Sequence, residues 1–174
     1  MRIATLAMAG LVLGGAGASA QSVSYDFDKS ADFSKLRTYA WTAGTEIKDE
    51  LNHRRIVSAI DAQLAARGLV KVEAGAHPDV LVAYHASFDR DLQISGFSSG
   101  FGPYRFAPAR SGSARVEEIL VGTLAVDVID AKAKTIVWRG MATKEADVKA
   151  SPDKRDKNIQ KAAEKLFKNF PPRV

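Results

Sequence analysis

The spacing of apolar and polar residues changes several times along the chain, and each change marks a predicted element. In "SVSYDF", Val23, Tyr25 and Phe27 alternate with polar residues, the period-two pattern of a half-buried strand. "RTYAW" puts Tyr39 and Trp41 on one side of a second short strand, where packing in the core is favoured over ligand stacking. From about Glu50 to Arg67 the period lengthens: Ile56, Val57, Ile60 and Leu64 share one helical stripe, while Arg54, Arg55, Asp61 and Gln63 mostly face away. Gly68 ends that helix, because glycine accepts the left-handed conformation that releases the chain. A short "LVKVE" strand and the turn "AGAHPD" lead to "VLVAYHASF", a strand from about Val80. Strand, helix, strand in this order predicts a right-handed crossover that packs the helix on a sheet.

The second half reads as a hairpin followed by a helix. Leu120, Leu124, Val126 and Val128 share one parity of a strand, with Thr123 and Asp127 on its more polar side. "DAKAK" makes the turn, and "TIVWRGMAT" returns with Trp138, whose large ring is expected in the core. In the tail, Ser151 caps a helix, Pro152 and Asp153 suit its first turn, and Ile159, Ala162, Ala163, Leu166, Phe167 and Phe170 form its apolar stripe. Its opposite face carries Lys154, Lys157, Lys161, Lys165 and Lys168, and Pro171 and Pro172 stop it. The fold class is therefore α+β: a two-layer sandwich in which two helices pack on one face of a mixed, largely antiparallel sheet.

Between these halves, residues 92 to 115 break every periodicity and are crowded with Gly, Ser, Pro, aromatic residues and arginine, with no acid. They read as a long loop, and loops of this length in compact domains are usually functional or disordered. Phe97, Phe101, Tyr104 and Phe106, interleaved with Arg105, Arg110 and Arg115, form a candidate binding surface. The competing reading is that the aromatic residues extend two strands into a longer hairpin.

The N-terminus changes the picture of where the protein acts. Arg2, the apolar run "IATLAMAGLVLGG" and the small residues Ala18-Ser19-Ala20 appear in the order of a secretory signal peptide, so residues 1–20 are expected to be removed and 21–174 to form a single domain in the periplasm or outside the cell. The apolar run is too short for the roughly 20 residues that span a bilayer, so no transmembrane segment is expected. The chain contains no cysteine, which excludes disulfides, thiolate catalysis and cysteine-based metal sites, and it leaves no residue for the acyl attachment of a lipoprotein. No lipid anchor is therefore expected. Residues 149–174 hold eight basic and three acidic side chains, a surplus as large as the +5 of the whole chain, so the excess charge sits at the C-terminus. It is expected to be a solvated helix face, and export argues against a nucleic-acid partner.

Candidate chemistry is sparse. His53, His77 and His85 fall in a helix, a turn and a strand, outside any nucleophile motif, and no metal site is expected from them. Asp89 and Asp91 recur at the end of a strand, and Asp127 and Asp130 bracket the hairpin turn, without the compact acidic loop that calcium requires; Asp130 is expected to hydrogen-bond its own backbone. Gly96, Gly100 and Gly102 lack the strand, helix and lysine of a phosphate cradle. No catalytic residue and no cofactor is assigned.

The stretches "YDFDKSADFSKLRTYAW", "RGLVKVEAGAHPDVLVAYH", "GTLAVDVIDAKAKTIVWRGMA" and "KLFKNFPP" together resemble the bacterial envelope family named domain of unknown function 4136. The resemblance covers nearly all of residues 21–174 except the Gly-rich loop. It implies an α+β sandwich, many of whose relatives are predicted lipoproteins, and no known activity or catalytic residue. This chain departs from the pattern in lacking a lipid-bearing cysteine and in carrying Lys134 where glycine is generally favoured. Either the turn differs, or Lys134 is left-handed at a cost on the order of 1 kcal/mol. The reading placed first is a non-catalytic envelope or periplasmic module that recognises a protein or envelope component through residues 92–115. The alternatives are a hydrolase or other enzyme whose site assembles from His85, Asp89, Asp91 and residues of the loop, and a peripheral membrane binder using the lysine face of the last helix.

Overall fold

The computed structural model describes residues 21–73, 75–95 and 115–172. Six strands, β1 (Ser22–Phe27), β2 (Thr38–Trp41), β3 (Val70–Lys71), β4 (Val80–Ser95), β5 (Arg115–Asp130) and β6 (Ile136–Glu145), form one sheet in the order β1-β6-β5-β4-β2-β3. The four strands from β1 to β4 in that order pair antiparallel, and β2 runs parallel to both β4 and β3. Two helices, α1 (Glu50–Ala65) and α2 (Pro152–Leu166), pack on one face, giving the expected α+β sandwich.

The core follows strand parity. Val80, Val82 and Tyr84 of β4, Val126 and Val128 of β5, and Trp138 of β6 point at the helices and are buried, facing Ile56, Ile60 and Leu64 of α1 and Leu166 of α2. Trp138 is fully buried between Phe167 and Phe170, with ring centroids 5.2 and 5.1 Å away. It is scaffold. Between Val128 and Ile129 the register with β6 shifts by a bulge, so that consecutive residues Val137 and Trp138 are both buried.

The helix ends follow local chemistry. Asp49 accepts from the backbone N–H groups of Leu51 and Asn52 at the start of α1, and Ser151 accepts from that of Lys154 at the start of α2. Gly68, at φ +83°, releases the chain after α1. Arg67 then donates through Nε to the carbonyls of Phe167 and Phe170, just past the end of α2. The C-terminal ends of both helices are thus tied together, and the helices run parallel.

Three sequence expectations are refined. The hairpin turn does place Lys134 in the left-handed region, at φ 60°, while Asp130 accepts from the N–H groups of Lys132 and Ala133 as expected. Asp127, assigned to a polar strand side, does face away from the helices, yet it is buried, because neighbouring strands lay Arg139 and His85 over it. The loop is shorter than 92–115: β4 and β5 pair continuously from Val80 with Asp130 to Ser95 with Arg115, so residues 92–95 and 115 extend the hairpin.

Candidate functional site

β4 and β5 are longer than the helices that cover them, and the uncovered stretch floors a cleft of about 410 Å³ between the N-terminal halves of α1 and α2. Register builds this floor from two rows across the sheet, Ala86–Leu124–Ala142 and Phe88–Gly122–Lys144. The small residues leave depth. Ile56 of α1 and Ile159 of α2 form the walls, and Asn52, Asn158 and Arg155 stand among the polar lining residues. Lys144 Nζ donates to Asn158 Oδ1 at 3.1 Å, and Arg155 donates to the carbonyl of Val148, which fixes the segment after β6 beside the opening. Phe88 is 56% exposed, an uncovered aromatic ring where the cleft meets the outer part of the β4–β5 hairpin.

The other face of the sheet carries a polar chain. The backbone N–H of Thr45 donates to His85 Nδ1 at 3.1 Å, so that nitrogen is unprotonated and the ring proton lies on Nε2, 3.3 Å from Asp127 Oδ2. Asp127 also accepts a two-pronged bond from Arg139, at 2.5 and 2.6 Å, which raises the proton affinity of the guanidinium. Thr45 Oγ1 is 3.0 Å from His85 Nδ1, an order of groups reminiscent of a hydrolase triad. The Nδ1 lone pair already receives the Thr45 N–H, however, so it does not stand open as a base toward that hydroxyl. The array clamps the segment after β2 to the sheet.

The remaining polar candidates are dispersed. His53 Nδ1 lies 2.6 Å from the Tyr84 hydroxyl and 3.6 Å from Glu46, and His77 occupies a turn at φ 51°. Asp89 accepts from Ser87, and it stands four residues, about 13 Å of strand rise, from His85. The carboxylate that reaches His85 is Asp127, from the adjacent strand, while the side chain of Asp91 and residues 96–114 lie outside the described residues. Tyr39 and Trp41 both donate to Asp61 Oδ1, at 2.8 and 2.9 Å, and burial followed by this carboxylate pushes the Tyr39 phenol well above its ordinary range. Among the described residues no group of three potential metal ligands converges, and no helix is long and apolar enough to cross a membrane.

Of the residues singled out as a binding surface, Phe97, Phe101, Tyr104, Arg105, Phe106 and Arg110 lie outside the described residues, as do residues 1–20, and Arg115 opens β5. The cleft itself was missed in the sequence. Its signal was the recurrence of small residues, Ala86, Gly122 and Ala142, on three strands, which becomes a pattern only once the register is known.

The family described as Domain of unknown function (DUF4136) matches residues 23–172. The chain belongs to this family. Its fold is shared with a DUF4136 family protein from Bacteroides thetaiotaomicron, at 15% identity and a TM-score of 0.53, covering 87% of this chain and 96% of that one. A PDZ domain protein from Parabacteroides distasonis is similar at 14% identity and a TM-score of 0.57 over 88% of this chain, which spans only 37% of that protein. The PelC dodecamer from Paraburkholderia phytofirmans is similar at 11% identity and a TM-score of 0.54, covering 89% of this chain and all of that one. At these identities the likeness concerns the fold. No curated protein matches.

Proposed function

We propose that this DUF4136 chain is an exported, non-catalytic binding module of the cell envelope that seats an apolar part of a protein or envelope component in the cleft between α1, α2 and the sheet. The observation that carries this reading is the cleft's construction: a floor of small residues with Leu124, Phe88 and Lys144, apolar walls from both helices, and a few amide, cationic and carboxylate groups, Asp49, Glu145 and Asp147 among them, in its lining. About 410 Å³ falls within the range of ligand-binding clefts, and a mainly apolar lining with a few placed polar groups is their usual composition. Arg2, the apolar run after it and Ala18-Ser19-Ala20 support export. The β4–β5 hairpin leads from the cleft to residues 96–114, so the aromatic and arginine residues of that segment are proposed as a second part of the contact surface.

The test is affinity capture from detergent-solubilised envelope with three proteins: the unaltered chain, Ala86→Phe, which places a ring in the cleft, and a version with residues 96–114 replaced by a short linker. Ala86→Phe should lose the captured component while keeping a cooperative melt. Equal retention by Ala86→Phe would remove the cleft from the reading, and loss only in the linker version would assign binding to the hairpin tip. Turnover on a hydrolase panel that disappears in a folded His85→Ala variant would replace the binding reading with an enzymatic one.

A further inference from the structure

The outer face of α2 carries a regular row of positive charge. Lys154, Lys157, Lys161, Lys165 and, in the turn that continues the helix, Lys168 are all exposed. At 100° per residue their spacing confines them to an arc of roughly 80° along about 21 Å of helix. Lys154 is paired with Asp147 at 2.7 Å. Among the described residues the other four have no ion-pair partner, although Glu164 stands at the edge of the row. Lys157, Lys161 and Lys165 follow one another at four-residue spacing, and the acids Asp153 and Glu164, four residues before Lys157 and Lys168, offset part of their mutual repulsion within the helix.

The opposite side of α2 cannot turn outward. Ala163, Leu166, Phe167 and Phe170 are buried, and Phe167 and Phe170 pack on Trp138. A straight row of cations on a fixed helix meets a plane along its length, and it has no aromatic residue between the lysines to stack a nucleobase. We infer that this row is a docking stripe for the anionic phosphate head groups of a phospholipid bilayer, which it touches without inserting. The attraction is then electrostatic throughout and decays within a Debye length of about 8 Å at physiological salt. Each lysine contributes about fivefold to partitioning, so removing four should weaken it by several hundredfold, on the order of 1 kcal/mol per residue.

The experiment uses the protein from Gln21 onward, which contains every strand and helix described, and the variant Lys157→Gln/Lys161→Gln/Lys165→Gln/Lys168→Gln with the same N-terminus. Co-sedimentation is measured with vesicles of phosphatidylcholine alone and of equal parts phosphatidylcholine and phosphatidylglycerol. The unaltered protein should bind the mixed vesicles at low salt, release them at high salt and ignore the neutral ones, with unchanged tryptophan emission because Trp138 stays in the core and Trp41 stays bonded to Asp61, away from the lysine row. The variant should melt as the unaltered protein does and fail to bind. Absence of binding by the unaltered protein, equal binding by the variant, binding that survives high salt, or binding to duplex DNA in place of vesicles would each overturn the inference.

Discussion

Asp127 shows how a carboxylate comes to be buried on the side of a sheet that has no helices. Its side chain is only 3% exposed, yet its oxygens receive Arg139 and face His85 Nε2, so almost every lone pair that folding removes from water is met by a donor. Such groups cost more when one partner is removed than when both are, because the survivor stays desolvated. Arg139→Met should therefore destabilise by about 1–3 kcal/mol, and Asp127→Asn combined with Arg139→Met by less than Arg139→Met alone. A double-mutant cycle by chemical denaturation measures this. Additive losses would mean that the exposed half of the guanidinium leaves the pair too well hydrated to couple.

Elements in this fold are secured by side chains from distant parts of the chain, and β2 is the clearest case. Asp79, just before β4, accepts from the backbone N–H groups of Arg37 and Thr38 at 2.9 and 2.8 Å and from the Thr38 hydroxyl at 2.9 Å, while its own N–H donates back to that hydroxyl. These bonds, the two backbone ones first, hold the Asp79 carboxyl below the usual carboxylate range. A carboxyl depressed on folding adds stability that is present above its unfolded value of about 3.9 and is lost as pH falls through the lower folded value. The stability difference between the unaltered protein and Asp79→Asn should accordingly be constant near neutrality and shrink below about pH 4. Urea melts across pH check it, and a gap that persists in acid would show that the side chain acts through shape alone. This clasp joins residues 41 positions apart, and nothing in the local pattern of either segment announces it. The same limit explains what was readable in the chain. Both helices, the cap at Ser151 and the parity of β5 were legible because they depend on neighbours a few residues away, whereas the left-handed Lys134 stood as one of two alternatives raised by the family resemblance. The Asp127 cluster, the extension of the hairpin through residues 92–95 and the cleft floor were not, since each requires the pairing of β4 with β5 and β6.

At the scale of the molecule, the two parallel helices cover the sheet unevenly, closing one end and leaving the other open. At the closed end Trp138 lies across Gly140: a Cβ there would sit 2.4 Å from the indole Cη2 and 2.9 Å from Leu166 Cδ2, both in the packed core. At the open end a Cβ on Gly122 would meet the Phe88 ring at 3.2 Å and the Lys144 carbonyl oxygen at 3.7 Å, an ordinary contact, and the ring can swing because it is largely exposed. The same substitution at two positions of one sheet should thus have opposite consequences. Gly140→Ala forces the indole off its site and should destabilise by about 1–3 kcal/mol, the usual cost of overpacking. Gly122→Ala should be neutral or stabilise by roughly 0.5–1 kcal/mol, because alanine has less backbone freedom to lose on folding than glycine. Thermal melts of the two variants measure the contrast. Equal destabilisation would mean that the floor beside Phe88 is packed as tightly as the core, which would remove the space on which the binding reading rests; an unchanged melt for Gly140→Ala would mean that the indole can leave its place over the strand without cost.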